Sequence, residues 1–178
     1  PLYSDPTLQP RFRVGDYPAA ESDRYHAKGR HVYVVARRVL ECDTIVSVPK
    51  LKTHQKVGIT CAIKGTVGAI SRKECLAHHR LGSSATNGDE MSSNSLLTRL
   101  ASRLNERAGG LGTSRQDNVV RVASKVMYRL ARMSGTHVGG AWHGNDTAWR
   151  MAVDIARVLR FARVDGSLAD TPQRQHFA

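Results

Sequence analysis

Thr44-Ile45-Val46-Ser47-Val48-Pro49-Lys50-Leu51-Lys52-Thr53-His54 is a β-branched apolar run that stops at a proline and empties into a basic loop. Thr44 to Val48 reads as a buried strand, because β-branched side chains suit a pleated surface and proline cannot continue a ladder. Just upstream, His31 to Val35 (HVYVV) has the same character and predicts an earlier short strand, with Ala36 to Glu41 as a helical stretch between them. Strand and helix in alternation indicate an α/β domain, its sheet mixed or mostly parallel and flanked by helices. The link from Val35 to Thr44 is short for a parallel crossover, so the pairing of these two strands stays open.

Working outward, GITCAIKGTVGAI (residues 58 to 70) places small and apolar residues at 59, 62, 63, 66 and 67 and predicts a closely packed helix bracketed by Gly58 and Gly68. Residues 71 to 95 are polar and rich in Gly and Ser, which reads as a long loop, and loops of that length in compact domains are usually functional or disordered. Three helices follow. Ser95 to Ala108 carries Leu96, Leu97, Leu100 and Leu104. Asn118 to Met133 sets Val119, Val122, Ala123, Val126, Leu130 and Met133 on one face and Arg121, Lys125, Arg129 and Arg132 on or near the other. Asp146 to Ala162 is the clearest, with Ala148, Met151, Ala152, Ile155, Val158, Leu159 and Ala162 at helical spacing and Asn145 as N-cap. Upstream of all these, residues 1 to 30 hold four of the six prolines and show little periodicity. No internal repeat is present.

A length of 178 residues suits one domain, so residues 1–178 are read as a single α/β unit. The chain opens on Pro1 and its first methionine is Met91, so it is expected to be a fragment of an incomplete domain, cut at both ends. It has no apolar run of membrane-spanning length and no basic-then-apolar leader, which makes the cytoplasm the expected compartment and membrane partners unexpected. Cys42, Cys61 and Cys75 are too few and too scattered for a disulfide framework and are expected as free thiols. The net charge of +12 fits nucleic acid, a phosphorylated or carboxylated ligand, or simply a solvated surface. Lys and Arg are spread evenly along the chain, 14 of 27 falling in residues 1 to 91, so no basic terminal arm argues for nucleic acid.

Several constellations could carry chemistry. Ligands of α/β sheets bind beyond the carboxyl ends of strands, where the Pro49–His54 loop would lie. There Lys50 and Lys52, at alternate positions, could converge on one phosphate or carboxylate with Thr53 and His54 beside them. Gly58-Ile59-Thr60 would open the next helix, whose first N–H groups form a generic anion site. Lys64 lies one turn in, among apolar neighbours, either snorkelling or buried as a clamp or reactive amine. In the long loop, His78, His79 and Arg80 precede Gly88-Asp89-Glu90, so imidazoles and carboxylates could supply general acid and base. Cys75 and His78 have half-site spacing for a metal, yet nothing partners them at a recognisable spacing, and no metal is expected. Asn145, Asp146 and Thr147 can all cap the last helix, whereas Trp142, His143 and Arg150 are not needed for capping and could wall a cleft. Nucleotide-loop, nucleophile-elbow and zinc-protease motifs are absent.

Together, three stretches resemble the bacterial and archaeal family known as domain of unknown function 362: Cys42–His54, Val57–Gly65 (VGITCAIKG), and Gly144–Arg150 (GNDTAWR). The Pro-Lys-x-Lys-Thr-His string, followed within a few residues by Gly-x-Thr and then Lys, carries most of its specificity. The likeness covers residues 25 to 90 and 142 to 168, leaving residues 92–140 as a helical insertion outside it. It implies an α/β domain, fused in some relatives to a ferredoxin-like iron–sulfur module, with no settled reaction and no named cofactor. Such a module is not visible here, since three scattered cysteines cannot make a clustered ligand set. Gly65 departs from the Asn usual in the family after the helix lysine. The resemblance also places Lys50, Lys52, His54 and Lys64 on motif positions that would act together.

The expected function is an enzyme or ligand-binding domain acting on an anionic small molecule. In it Lys50, Lys52, Thr53, Thr60, Arg80, Asn145, Asp146 and Arg150 would hold the ligand, while His54, Lys64, His78 and His79 would move protons. The alternatives are nucleic-acid binding through the Arg121, Lys125, Arg129 and Arg132 face, or redox work beside an iron–sulfur partner.

Overall fold

A computed structural model describes residues 11–14, 17–27, 30–109 and 115–177. Its organising element is helix α6 (Ala148–Phe161). Ala148, Met151, Ala152, Ile155 and Leu159 recur at the spacing of one helical face, and all five are buried. Met151, Ile155 and Leu159 form the core with Phe12, Leu76 and Ala77, bordered by Tyr33, Val35, Val39, Ile45, Val67 and Ile70. Both ends of α6 are closed by side chains. Asn145 Oδ1 accepts the N–H groups of Thr147 and Ala148, at 3.0 and 2.9 Å. At the other end the buried Arg174 donates to the carbonyls of Leu159 and Ala162, and to that of Leu40, so groups that helix geometry leaves unpaired are satisfied.

The α/β character is mixed. Among the described residues the strands form four two-stranded pairs instead of one broad sheet, and one of the pairs is parallel. In chain order the elements before α6 are β1 (Phe12–Arg13), α1 (Ala19–Tyr25), β2 (His26–Ala27), β3 (Arg30–His31), α2 (Arg37–Glu41), β4 (Thr44–Val46), β5 (Lys52–His54), β6 (Gly58–Thr60), α3 (Ala62–Gly65), β7 (His79–Arg80), α4 (Leu96–Gly109) and α5 (Arg115–Met133), and β8 (Gln175–Phe177) follows it. The parallel pair is β4 with β8. His31 to Val35 does not continue as one strand: Arg30–His31 folds back on β2 as a hairpin, and Val35 makes an isolated antiparallel bridge to Ile70. The strand at Thr44 is shorter than its sequence suggests and is not a buried one, since Val46 and Val48 are exposed; among the described residues its partner is β8. Residues 58 to 70 are not one helix either. Gly58–Thr60 pairs with β5, α3 is a single turn, and Thr66–Ala69 is a 3₁₀ turn.

Residues 71 to 95 depart most from expectation. This polar stretch is not a surface loop, for Cys75, Leu76, Ala77, His79, Arg80, Leu81, Asp89, Glu90 and Met91 are all buried. Asp89 makes that possible. Its carboxylate accepts the Arg80 N–H at 2.5 Å, the Asp146 N–H at 2.9 Å and the Thr147 hydroxyl at 2.6 Å. Next to it, Glu90 accepts the hydroxyls of Ser102 and Tyr128 and the Gly82 N–H. Two adjacent carboxylates therefore tie the loop to α4, α5 and the start of α6. Burial and the nearby Glu90 charge push the Tyr128 hydroxyl well above the usual tyrosine range, so it stays a donor. The loop is also tight: a Cβ on Gly88 would lie 2.1 Å from the Leu81 carbonyl oxygen.

Helices α4 and α5 form an antiparallel hairpin through small side chains, with Ala101 and Ala131 fully buried. That narrow contact leaves the apolar stripe of α5 facing solvent: Val119, Val122, Val126, Leu130 and Met133 are 44–78% exposed. Exchanging both Val122 and Val126 for Ser is therefore expected to change stability by less than about 0.5 kcal/mol per site, as for other surface positions. Ala131→Leu, which overfills the contact, should cost about 1–3 kcal/mol. Urea melts of the two variants beside the parent chain check the contrast.

Candidate functional site

The site is built on the β5–β6 hairpin. Lys52 faces Thr60, Thr53 faces Ile59 and His54 faces Gly58 across the pair. Two local features close the turn. Gly58 sits at φ +74°, where a side chain is strained, and the Lys56 N–H donates to His54 Nδ1 at 3.1 Å. On the far rung the Thr60 hydroxyl donates to the Lys52 carbonyl at 3.2 Å, so Thr60 steadies the hairpin.

Against this hairpin lies an open cleft of about 820 Å³. One wall is Lys52, Thr53, His54, Gln55 and Lys56, the other is Val67, Ile70, Lys73, Leu76 and His78, and Val14 and Tyr17 close an end. The lining holds three lysines, two histidines and no carboxylate. Lys52, Lys64 and Lys73 form no ion pair among the described residues. The cleft is therefore strongly positive along the hairpin, and its opposite wall is apolar apart from Lys73 and His78.

Its electrostatics show in the histidines. Burial lowers the His78 pKa to about 4, helped by the nearby Lys56, Lys64 and His54. His54 is lowered too, first by burial and then by Lys64, Lys56 and Lys52. Both imidazoles are thus neutral at pH 7, and their hydrogen bonds fix opposite tautomers. His78 Nδ1–H donates to the Leu76 carbonyl at 2.7 Å, which leaves the Nε2 lone pair as a base. His54 Nδ1 accepts from Lys56, so its Nε2 carries the proton. One cleft holds a proton donor and a proton acceptor. Lys64, half-buried on α3, does not line the cleft but lowers both histidines, and burial lowers its own pKa.

The other residues singled out from the sequence sit elsewhere. Lys50 is exposed and outside the lining. His79 is 2% exposed beside His78, its pKa held well below the usual range by burial. Arg80 is buried, donating to the Asn87 carbonyl at 3.0 Å and lying 3.8 Å from Asp89. Asn145 anchors the site from behind, because its Nδ2 donates to the His78 carbonyl at 2.9 Å while its Oδ1 caps α6. Asp146 pairs with Arg150 at 3.0 Å and accepts the Trp149 indole N–H, and Arg150 stacks on that indole, a surface cluster at the start of α6. The helix-start anion site expected at Gly58–Thr60 does not form, because those residues are a strand and α3 is one turn long. Lys73, Tyr17 and the apolar wall were not legible as site residues, since chain folding rather than local pattern brings them to the hairpin.

No group of three or more His, Cys, Asp or Glu side chains is placed to hold a metal among the described residues. Nor is any helix among them long and apolar enough to cross a membrane.

Neither a curated protein nor a solved structure matches the chain. A family model does, over residues 13–171 of the 178, a span that includes the hairpin, the buried loop, the α4–α5 pair and α6. With most of its length matched, the chain belongs to the family described as Domain of unknown function (DUF362).

Proposed function

We propose that the chain binds a small molecule with an anionic end and an apolar body in the β5–β6 cleft, with proton transfer to the bound molecule within reach of His54 and His78. The observation that carries this reading is the convergence of Lys52, Lys56 and Lys73 on two neutral histidines of opposite tautomer, with no carboxylate in the lining. The lysines attract a phosphate or carboxylate, and Lys64 adds to the positive potential from one layer behind. Val67, Ile70, Leu76 and Tyr17 would cover the apolar part of the ligand. His78 Nε2 can take a proton from an acidic position next to the anion while His54 Nε2–H donates one, a general acid and base held in one site. The lysines would then stabilise the negative charge that develops.

Anion binding must raise both histidine pKa values, because it offsets the lysine charges that lower them. Binding of benzenesulfonate, whose own charge does not change near pH 6, is therefore expected to take up protons there, which calorimetry in two buffers of different ionisation enthalpy measures directly. Lys52→Gln should weaken that binding by about tenfold, the loss of one charge-assisted hydrogen bond. Binding without proton uptake, or equally tight in Lys52→Gln and His54→Gln, overturns the assignment.

A further inference from the structure

A second cavity, of about 320 Å³, lies on the other side of the buried loop, between the Gly82–Met91 turn and the first two turns of α4. Arg11, Arg99 and Arg103 reach it from two segments far apart in sequence. Its lining has no carboxylate and no aromatic ring. None of the three guanidinium groups is in an ion pair among the described residues, and Arg99 uses only Nε, donating to Asn94 Oδ1 at 3.2 Å. Glu90 lies beneath the floor with its oxygens taken by Ser102, Tyr128 and the Gly82 N–H, so three positive charges at the rim outweigh one buried negative charge.

The hydroxyls of the lining refine the ligand class. Each hydroxyl has one proton, and two of those in the lining commit it inward, Thr86 to the Ser83 carbonyl and Ser102 to Glu90, while the buried Thr98 hydroxyl is taken by the Ser93 and Ser95 carbonyls. Toward the cavity the Thr86 and Ser102 oxygens offer lone pairs only, and the buried Ser83 hydroxyl beside them has no partner among the described residues. A ligand that suits the site brings an anion for the guanidinium groups and O–H donors for the hydroxyl oxygens. Without an aromatic ring, the lining offers a nucleobase only guanidinium planes to stack on, and those are drawn to the anion. We infer that this cavity is a second anion site that takes a phosphorylated sugar or polyol, separate from the cleft at β5–β6.

The test is a calorimetric titration of the full chain with glucose 6-phosphate, inorganic phosphate and glucose, repeated on Arg99→Gln/Arg103→Gln and on Lys52→Gln/His54→Gln. All four substituted positions lie at the surface or in the open cleft, and a thermal melt of each variant confirms its fold. The expected result is that glucose 6-phosphate binds about tenfold more tightly than phosphate, and that glucose gives no heat. Its affinity should fall by at least about tenfold in the arginine variant and change less than about twofold in the cleft variant. No heat with glucose 6-phosphate, or binding untouched by the arginine pair, overturns the inference. Benzenesulfonate titrated into the same arginine variant reports on the cleft alone, so failure at one site is told from failure at the other.

Discussion

Asp89→Ala is expected to lower stability by about 3–5 kcal/mol, the usual cost of removing one member of a buried charged network. The carboxylate is 1% exposed and accepts three donors: a backbone N–H and a hydroxyl at the start of α6, and the Arg80 N–H within the buried loop. Alanine would leave those donors without acceptors and the buried Arg80 guanidinium without the anion 3.8 Å away. Because a domain of this size has roughly 5–15 kcal/mol in total, the variant should sit near its folding margin. Asp146, one of the neighbours Asp89 holds, is the control. Its side chain makes a surface ion pair with Arg150, worth at most about 1 kcal/mol, so Asp146→Ala should be nearly silent. Urea denaturation of both variants decides it: an Asp89→Ala chain within about 1 kcal/mol of the parent would show that the two carboxylates are not what holds the loop in the core.

This network also marks where the sequence stops being readable. α6 could be read directly, because its burial is one-sided and the period of its apolar residues reports that; its start lies two residues later than expected, with Thr147 at the N-cap position, and Asn145 reaches the Thr147 and Ala148 N–H groups from upstream. The mixed α/β class followed from strand-like runs alternating with helical ones. The burial of Gly88-Asp89-Glu90 could not be read. A Gly- and Ser-rich polar stretch looks like a surface loop, and the donors that let it go inside, Ser102, Tyr128 and Thr147, lie 12, 38 and 58 residues away in the chain. The α5 stripe failed in the opposite sense, since periodicity shows that a helix is two-sided but not that either side is covered. At the site, the Lys52-Thr53-His54 string was visible as a basic loop after a strand, and His78 as an imidazole in a functional-looking loop. That they share one cleft depends on the Asn145 amide gripping the His78 carbonyl, 67 positions upstream, a contact no local pattern signals.

The second large effect is acid unfolding driven by histidines. His26 is fully buried among the rings of Phe12, His31 and Tyr33, and its Nε2–H donates to the Cys75 carbonyl at 2.6 Å, so Nδ1 is left to accept from His31. Burial, with His31 adding to it, lowers its pKa from 6.5 to about 4 despite the opposing Cys75 hydrogen bond and the Asp154 charge. His78 is lowered to about the same value, and His79 further below the usual range. In each case the folded pKa lies below the unfolded one, so the unfolded chain binds the extra protons. The contribution is intact above about pH 7 and disappears as the pH falls from 6.5 through 4. A drop of that size is worth roughly 3 kcal/mol for His26 and somewhat less for the partly exposed His78. From His26 and His78 alone, urea melts are therefore expected to lose about 5 kcal/mol between pH 7.5 and 4.5, with His79 adding to it, bringing the chain to its midpoint before most carboxylates titrate. In His26→Gln, whose side chain does not titrate, that loss should shrink by the His26 share, about 2–3 kcal/mol, whatever the substitution costs at pH 7.5. The slope between the two pH values is then the readout, and it separates the charge from the packing. A stability flat from pH 7.5 to 4.5 in the parent chain, or a slope unchanged in His26→Gln, would mean that protonated imidazoles are accommodated in the core, contrary to the desolvation argument.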